Sequence, residues 1–170
     1  MLHIYFDGAC GPKNDGTGHM GVGVVAYNVL NSKSEKLFEK ALYLPYTAKY
    51  EKLNYGRSEF SYLHTSNNLA EHLALFHALR FIYATNSPNK IPSINVFGDS
   101  LMVINQMNSI WNINDGKPYS EVAKRNKFIT MNFLNEFDIN FKWIAREKNT
   151  VADELSKIAC EKKLSFEKTL

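Results

Sequence analysis

Apolar and polar positions alternate from the start of the chain. Leu2, Ile4 and Phe6 interleave with His3, Tyr5 and Asp7, the period-two pattern of a strand. Gly8 and Gly11 then open a turn. The β-branched, glycine-broken run Val22-Gly-Val-Val-Ala-Tyr27 predicts a second strand over 20–30, and residues 35–44 predict a third. The short connections between them favour an antiparallel meander. The period turns helical at Leu69, Leu73, Phe76, Leu79 and Tyr83, which predicts a helix from Leu69 to about Ala84 with its apolar stripe on one side. Ser66-Asn67-Asn68 starts that helix, and Asn86-Ser87-Pro88 stops it. Ser93 to Asp99 reads as a short fourth strand, followed by helices over Ser100 to about Ile110 and Pro118 to Phe137. A fifth strand over 138–145 and a last helix from Thr150 to about Cys160 complete the pattern. The segment 164–170 is expected to fray.

Residues 45–65 fit neither period. Tyrosines there interleave with Lys49, Lys52 and Arg57, a mix that stacks bases and meets phosphates. A surface excursion packed on the sheet is the plainer expectation. Gly16-Thr-Gly18-His-Met-Gly21 has the spelling of a dinucleotide fingerprint, but a strand follows it where that fingerprint needs a helix.

The chain of 170 residues suits one domain over 1–163, with 45–65 as an insertion. A formal charge of +3 permits a nucleic-acid partner without demanding one. Cys10 and Cys160 match no zinc spacing and read as free thiols of a reducing compartment. The absence of a long apolar run and of a basic N-terminal start points away from a membrane span or a leader, so a cytoplasmic monomer with no obligate protein partner is the default expectation.

Asp7 and Asp99 both stand at the carboxyl ends of predicted strands, where open sheets with helical crossovers bind ligands. If those strands are neighbours, the two carboxylates cannot both stay ionised without a cation. Oxygen ligands without a Cys or His cluster suit Mg²⁺ or Mn²⁺. Glu71 and Asp153, placed in first turns of helices, are able to close such a site. Taken singly, Glu71 complements a helix dipole and Thr150-x-x-Asp153 spells a capping box.

In order along the chain, Phe6-Asp7-Gly8-Ala9-Cys10-Gly11, Ser66-Asn67-Asn68-Leu69-Ala70-Glu71, Phe97-Gly98-Asp99-Ser100 and Ala152-Asp153-Glu154-Leu155-Ser156 resemble the motifs of the type 1 ribonuclease H family. The resemblance implies an α/β, ribonuclease H-like three-layer fold, a mixed five-stranded sheet with strand two antiparallel, flanked by helices. It implies an endonuclease that cuts the RNA strand of RNA–DNA hybrids, leaving 5′-phosphate and 3′-hydroxyl ends, with two Mg²⁺ per site and Mn²⁺ as a substitute. By the same resemblance Asp7 bridges both ions, Asp153 helps to hold the ion that activates water, and Glu71 and Asp99 hold the other. Ser66, Asn67, Asn68 and Ser100 are then expected to grip the substrate, with Glu71 and the backbone of Gly8, Ala9 and Cys10 sensing 2′-hydroxyls.

Departures from the family pattern are equally specific. The stretch Trp143-Ile-Ala-Arg146-Glu-Lys-Asn-Thr-Val-Ala-Asp153 is too short for the histidine loop of many members and contains no histidine. It is similar to the branch with Pro-Arg-Glu at this point, with Ala145 in place of proline. Arg146 is thereby either a group acting at the scissile phosphate or a surface charge. No basic handle stands between the central helices, and Leu101 replaces a polar residue. A hybrid- or duplex-RNA-binding module that cuts weakly or not at all is the alternative expectation.

Overall fold

The computed structural model describes residues 1–13, 15–46, 51–55, 58–62, 64–85 and 93–170, and only the backbone of 51–55 and 58–62. Strand β1 (Leu2–Gly11) lies at the middle of the sheet. It pairs antiparallel with β2 (His19–Leu30), which pairs antiparallel with β3 (Lys33–Leu44). Asn31 and Ser32 join β2 to β3 with positive φ at both positions, the two-residue turn that suits a twisted hairpin. Residues 45–65 contain regular structure that their sequence does not announce. Strands β4 (Glu51–Tyr55) and β5 (Ser58–Tyr62) pair with each other in a separate two-stranded sheet.

Helix α1 (Asn67–Thr85) begins two residues before its predicted start. The Ser66 hydroxyl accepts a hydrogen bond from the Leu69 N–H at 3.0 Å and caps it. The helix is apolar on nearly every side because it lies between the sheet and α3 (Ser120–Asn132), with Leu69, Leu73, Leu75, Leu79 and Ile82 buried. The predicted single stripe was therefore too narrow at the helix centre and too long at its end, where Tyr83 is exposed. His72 and His77 are buried in this helix. The His72 Nε2 meets Gln106 Oε1 at 2.9 Å, while neither ring nitrogen of His77 has a partner among the described residues. Both are structural.

Strand β6 (Ile94–Gly98) runs parallel to β1, with Leu2 opposite Ile94 and Tyr5 opposite Phe97. Helix α2 (Leu101–Met107) follows, then α3, which ends at Asn132 rather than Phe137 because the N–H groups of Phe133 and Leu134 both turn back to the Ile129 carbonyl. Strand β7 (Ile139–Trp143) pairs parallel with β6. A 3₁₀ turn at Arg146–Lys148 leads into α4 (Thr150–Lys162). The C-terminal segment is not frayed. Strand β8 (Phe166–Thr169) pairs antiparallel with β3, making the order β7-β6-β1-β2-β3-β8, six strands rather than five.

Two apolar layers hold the sheet between its helices. Leu2, Ile4, Phe6, Val22, Val24 and Val96 face α1 and α3, and Val25 and Ala41 face Ala152, Leu155 and Ala159 of α4. This is a three-layer α/β/α arrangement, with α4 alone on its side of the described sheet. No helix among the described residues is long and apolar enough to cross a membrane.

Candidate active site

Parallel pairing of β1 and β6 sets Asp7 and Asp99 side by side at the same sheet end. Glu71 arrives from α1, four residues past the first helical residue and so beyond the first turn. It comes this close because residue 8 is glycine: a Cβ there would lie 2.2 Å from the Ala70 carbonyl carbon and 2.3 Å from the Glu71 nitrogen. One oxygen from each of Asp7, Glu71 and Asp99 then falls within 4.8 Å of the others.

Asp7 is only 4 % exposed. Burial pushes its carboxyl up to about 7, the Asp99 and Asp153 charges push the same way, and hydrogen bonds from Ser156 and Glu71 oppose them. Burial, and then the charges of Asp7 and Asp99, raise Glu71 well above the ordinary carboxylate range. The two carboxyls hydrogen-bond to each other, and Glu71 Oε2 is buried without a partner among the described residues. Three crowded hard-oxygen donors, one of them orphaned, fit a divalent cation of the Mg²⁺ or Mn²⁺ type.

Folding of the metal-free protein takes up protons at Asp7 and Glu71 that the unfolded chain releases near pH 4. Stability from these groups is therefore present below that pH and is lost as pH rises, through about 7 in the case of Asp7. The histidines act at the other end. Burial lowers His72 to about 4 and His77 to about 3, so their contribution is present above about 6.5 and is lost as pH falls through those values. The unfolding temperature of EDTA-treated protein is expected to fall between about pH 6.5, where the histidine contribution is already complete, and about pH 8, and millimolar Mg²⁺ or Mn²⁺ is expected to recover the loss only at the higher pH. Equal recovery at both pH values in thermal melts would contradict this assignment.

Asp153 stands apart from the three. It lies in the first turn of α4, but the capping box spelled by the sequence does not form. Asn149 is the N-cap without a side-chain bond to the helix, and its amide instead donates to the Phe6 carbonyl at 2.9 Å. The Asp153 carboxylate is held by Arg146, whose Nε and Nη2 reach Oδ1 at 3.2 and 2.9 Å, and by Lys157, whose Nζ reaches Oδ2 at 2.6 Å. Its partial burial works against ionisation, but the two cations outweigh that and hold its carboxyl below the usual range.

A cleft of about 900 Å³ opens over the acids. Gly8, Ala9, Cys10, Asn67, Asn68, Ser100 and Arg146 line it, together with His19, Lys157 and Lys163. Ser66 is engaged as the cap of α1, and Ser100 also caps a helix, accepting from the Val103 N–H at 3.4 Å. Three residues escaped the sequence reading. The Ser156 hydroxyl donates to Asp7 Oδ2 at 2.5 Å, Lys157 pairs with Asp153, and Trp143 Nε1 donates to the Asp99 carbonyl at 3.1 Å. Ser156 and Lys157 stand three and four residues after Asp153, a helical spacing that signals both, and Ser156 also closes the Ala152–Ser156 motif, though the motif assigns it no role.

The layered mixed sheet, with Asp7 and Asp99 just past the paired stretch of its parallel central strands, defines a ribonuclease H-like fold. A family model described as reverse transcriptase-like matches residues 56–159, which takes in Glu71, Asp99 and Asp153. LC11-RNase H1, isolated from compost by a metagenomic approach and solved in complex with an RNA/DNA hybrid, is 26% identical over 97% of this chain and 100% of that one, with a TM-score of 0.71. The RNase H1 of the halophilic archaeon Halobacterium salinarum shares the fold at 23% identity, over 95% of this chain and 98% of that one, with a TM-score of 0.65. A foamy viral protease-reverse transcriptase in complex with an RNA/DNA hybrid shares it at 15% identity, over 95% of this chain and 20% of the viral one, with a TM-score of 0.61. The chain belongs to the reverse transcriptase-like family, and its fold is similar to that of type 1 ribonuclease H structures. Its connection from β7 to α4 is short and contains no histidine.

Proposed function

We propose that this chain is a metal-dependent endoribonuclease that cuts the RNA strand of RNA–DNA hybrids. The observation that carries the reading is the convergence of Asp7, Glu71 and Asp99 on one point at the floor of an open cleft. Asp7, Glu71 and Asp99 are the groups to hold a divalent ion, and Asp153 is the group to complete a second position. Divalent ions bound there supply charge neutralisation at the phosphodiester and a water of lowered pKa.

The chain's own residues account for the rest. Ser156 orients Asp7 by donating to Oδ2, and Trp143 fixes the backbone of Asp99. The amides of Asn67 and Asn68 line the cleft as donors and acceptors for a sugar–phosphate edge. Gly8, Ala9 and Cys10 also line the cleft, and their backbone is the group to sense a 2′-hydroxyl, which separates RNA from DNA. Arg146 and Lys157 bring positive charge to the rim, where the phosphate backbone is the dominant attraction.

One observation favours a second reading, a hybrid- or duplex-RNA-binding module that cuts poorly: Asp153 is already engaged by two cations. A gel assay separates the readings. Labelled hybrid, single-stranded RNA, RNA duplex and DNA duplex are incubated with Mg²⁺, Mn²⁺ or EDTA. Cuts confined to the RNA strand of the hybrid and dependent on metal are expected. Hybrid that binds and stays intact with either metal supports the binding module, and cleavage of the DNA duplex reassigns the substrate.

A further inference from the structure

The two halves of the acid cluster stand in opposite electrostatic situations. Asp7, Glu71 and Asp99 crowd together, Arg146 reaches Asp7 and Asp99 only as a neighbouring charge while its hydrogen bonds go to Asp153, and Glu71 Oε2 has no partner among the described residues. Asp153 is neutralised on both oxygens. Arg146 takes Oδ1 through two nitrogens, and Lys157 takes Oδ2 at 2.6 Å. The second oxygen of Asp7 accepts the Ser156 hydroxyl. Any divalent ion that seeks Asp153 must displace a protein donor that already carries positive charge.

We propose that Lys157 is a tethered counter-cation that competes with a divalent ion for Asp153. The chain then takes up one ion tightly at Asp7, Glu71 and Asp99 and a second one weakly. This inference rests on the metal reading above and adds the residue that sets the difference between the two positions. Lys157 follows Asp153 by four residues, so the helix delivers the ammonium to the carboxylate in a favourable i,i+4 pair. Asp153 is only 16 % exposed at its side chain, which limits screening of the pair. Lys157 rather than Arg146 is the group expected to yield. An ammonium is a mobile point charge on a flexible stem, whereas the guanidinium is a rigid fork. Lys157 also lines the cleft, so once displaced its ammonium remains beside the path of a phosphate backbone. Uptake of the second ion and of the nucleic acid thereby favour each other.

The test needs no nuclease activity. Free Mn²⁺ is followed by electron paramagnetic resonance while it is titrated into metal-stripped wild type, Lys157→Gln, Lys157→Arg and Lys163→Gln, without nucleic acid. Lys163 lines the same cleft without pairing with Asp153, so its variant makes the same change in charge nearby. Wild type is expected to bind one Mn²⁺ tightly and one weakly. Lys157→Gln is expected to tighten the second by about tenfold and leave the first unchanged, with Lys163→Gln resembling wild type and Lys157→Arg binding the second ion no more tightly than wild type. A second affinity unchanged in Lys157→Gln overturns the proposal, as does an equal gain in Lys163→Gln. Two equally tight ions in wild type also overturn it. No Mn²⁺ binding to wild type removes the metal reading of the site itself, a different result from a failure of Lys157.

Discussion

Asp7→Asn leaves a folded protein that no longer cuts and that resists unfolding better than wild type when no metal is present. The expected loss of cleavage is at least about a thousandfold, because the residue contributes to both proposed ion positions. The gain in stability comes from the same crowding. Asp7 is buried beside Glu71 and Asp99, and an amide there carries no charge to repel them. At neutral pH the gain is expected to be on the order of 1–3 kcal/mol. Urea unfolding in EDTA, with single-turnover cleavage of a labelled hybrid in Mg²⁺ alongside, measures both. Wild-type cleavage by the variant would sink the acid-centre account, and destabilisation without metal would contradict the electrostatic one.

Gly23→Ala is expected to damage the site without touching it. Gly23 of β2 pairs with Asp7 of β1, and α4 crosses directly above. A Cβ at position 23 would lie 2.2 Å from the Ala152 carbonyl oxygen and 2.7 Å from the Ser156 nitrogen. Both are backbone atoms of a packed helix, so α4 must lift from the sheet. Asp153, Ser156 and Lys157 travel with it, and the Ser156 bond to Asp7 is broken. A loss of roughly 3 kcal/mol is expected. Gly11→Ala, where nothing lies within 4 Å of the added atom, is expected to change stability by less than about 0.5 kcal/mol. Urea midpoints that move equally in the two variants would show that the helix does not rest on Gly23.

The second prediction also shows why one passage of the sequence misleads. Glycines at 16, 18 and 21 have the spelling of a nucleotide loop, yet Gly21, like Gly23, serves contact between a strand and a helix far along the chain. A Cβ on Gly21 would lie 2.0 Å from the Ser156 carbonyl oxygen. Spacing within a short segment cannot reveal a partner more than a hundred residues away. Asp7 and Asp99 were legible as neighbours because a crossover helix makes a parallel pairing of their strands plausible, although β1 does not end at Asp7 as its pattern suggested but stays paired with β2 as far as Gly11. The capping box at Thr150 was a false lead, since the true N-cap is Asn149 and its amide binds the sheet. Strand β8 left no pattern to read. It has one partly buried apolar residue, Phe166, and otherwise depends on pairing with β3 and on ion pairs such as Lys40 with Glu167 at 2.8 Å. The tyrosine and lysine pattern proposed for 45–65 falls largely outside the described residues.

Asp153 shows the same divide within the site. Its place in the first turn of α4 was readable, but its pairing was not, because Arg146 comes from a turn whose geometry the sequence leaves open. The fold thus delivers four carboxylates to one sheet end and brings three of them together.

The most direct test of that arrangement is single-turnover cleavage of a 5′-labelled RNA–DNA hybrid by metal-stripped wild type and Asp99→Asn, before and after addition of Mg²⁺ or Mn²⁺, with the ends of the RNA fragments identified. The account predicts no cutting by stripped wild type, restored cutting on metal addition with 5′-phosphate ends, and none by Asp99→Asn under any condition. Metal-independent cutting by wild type, or cutting by Asp99→Asn at the wild-type rate, would contradict it.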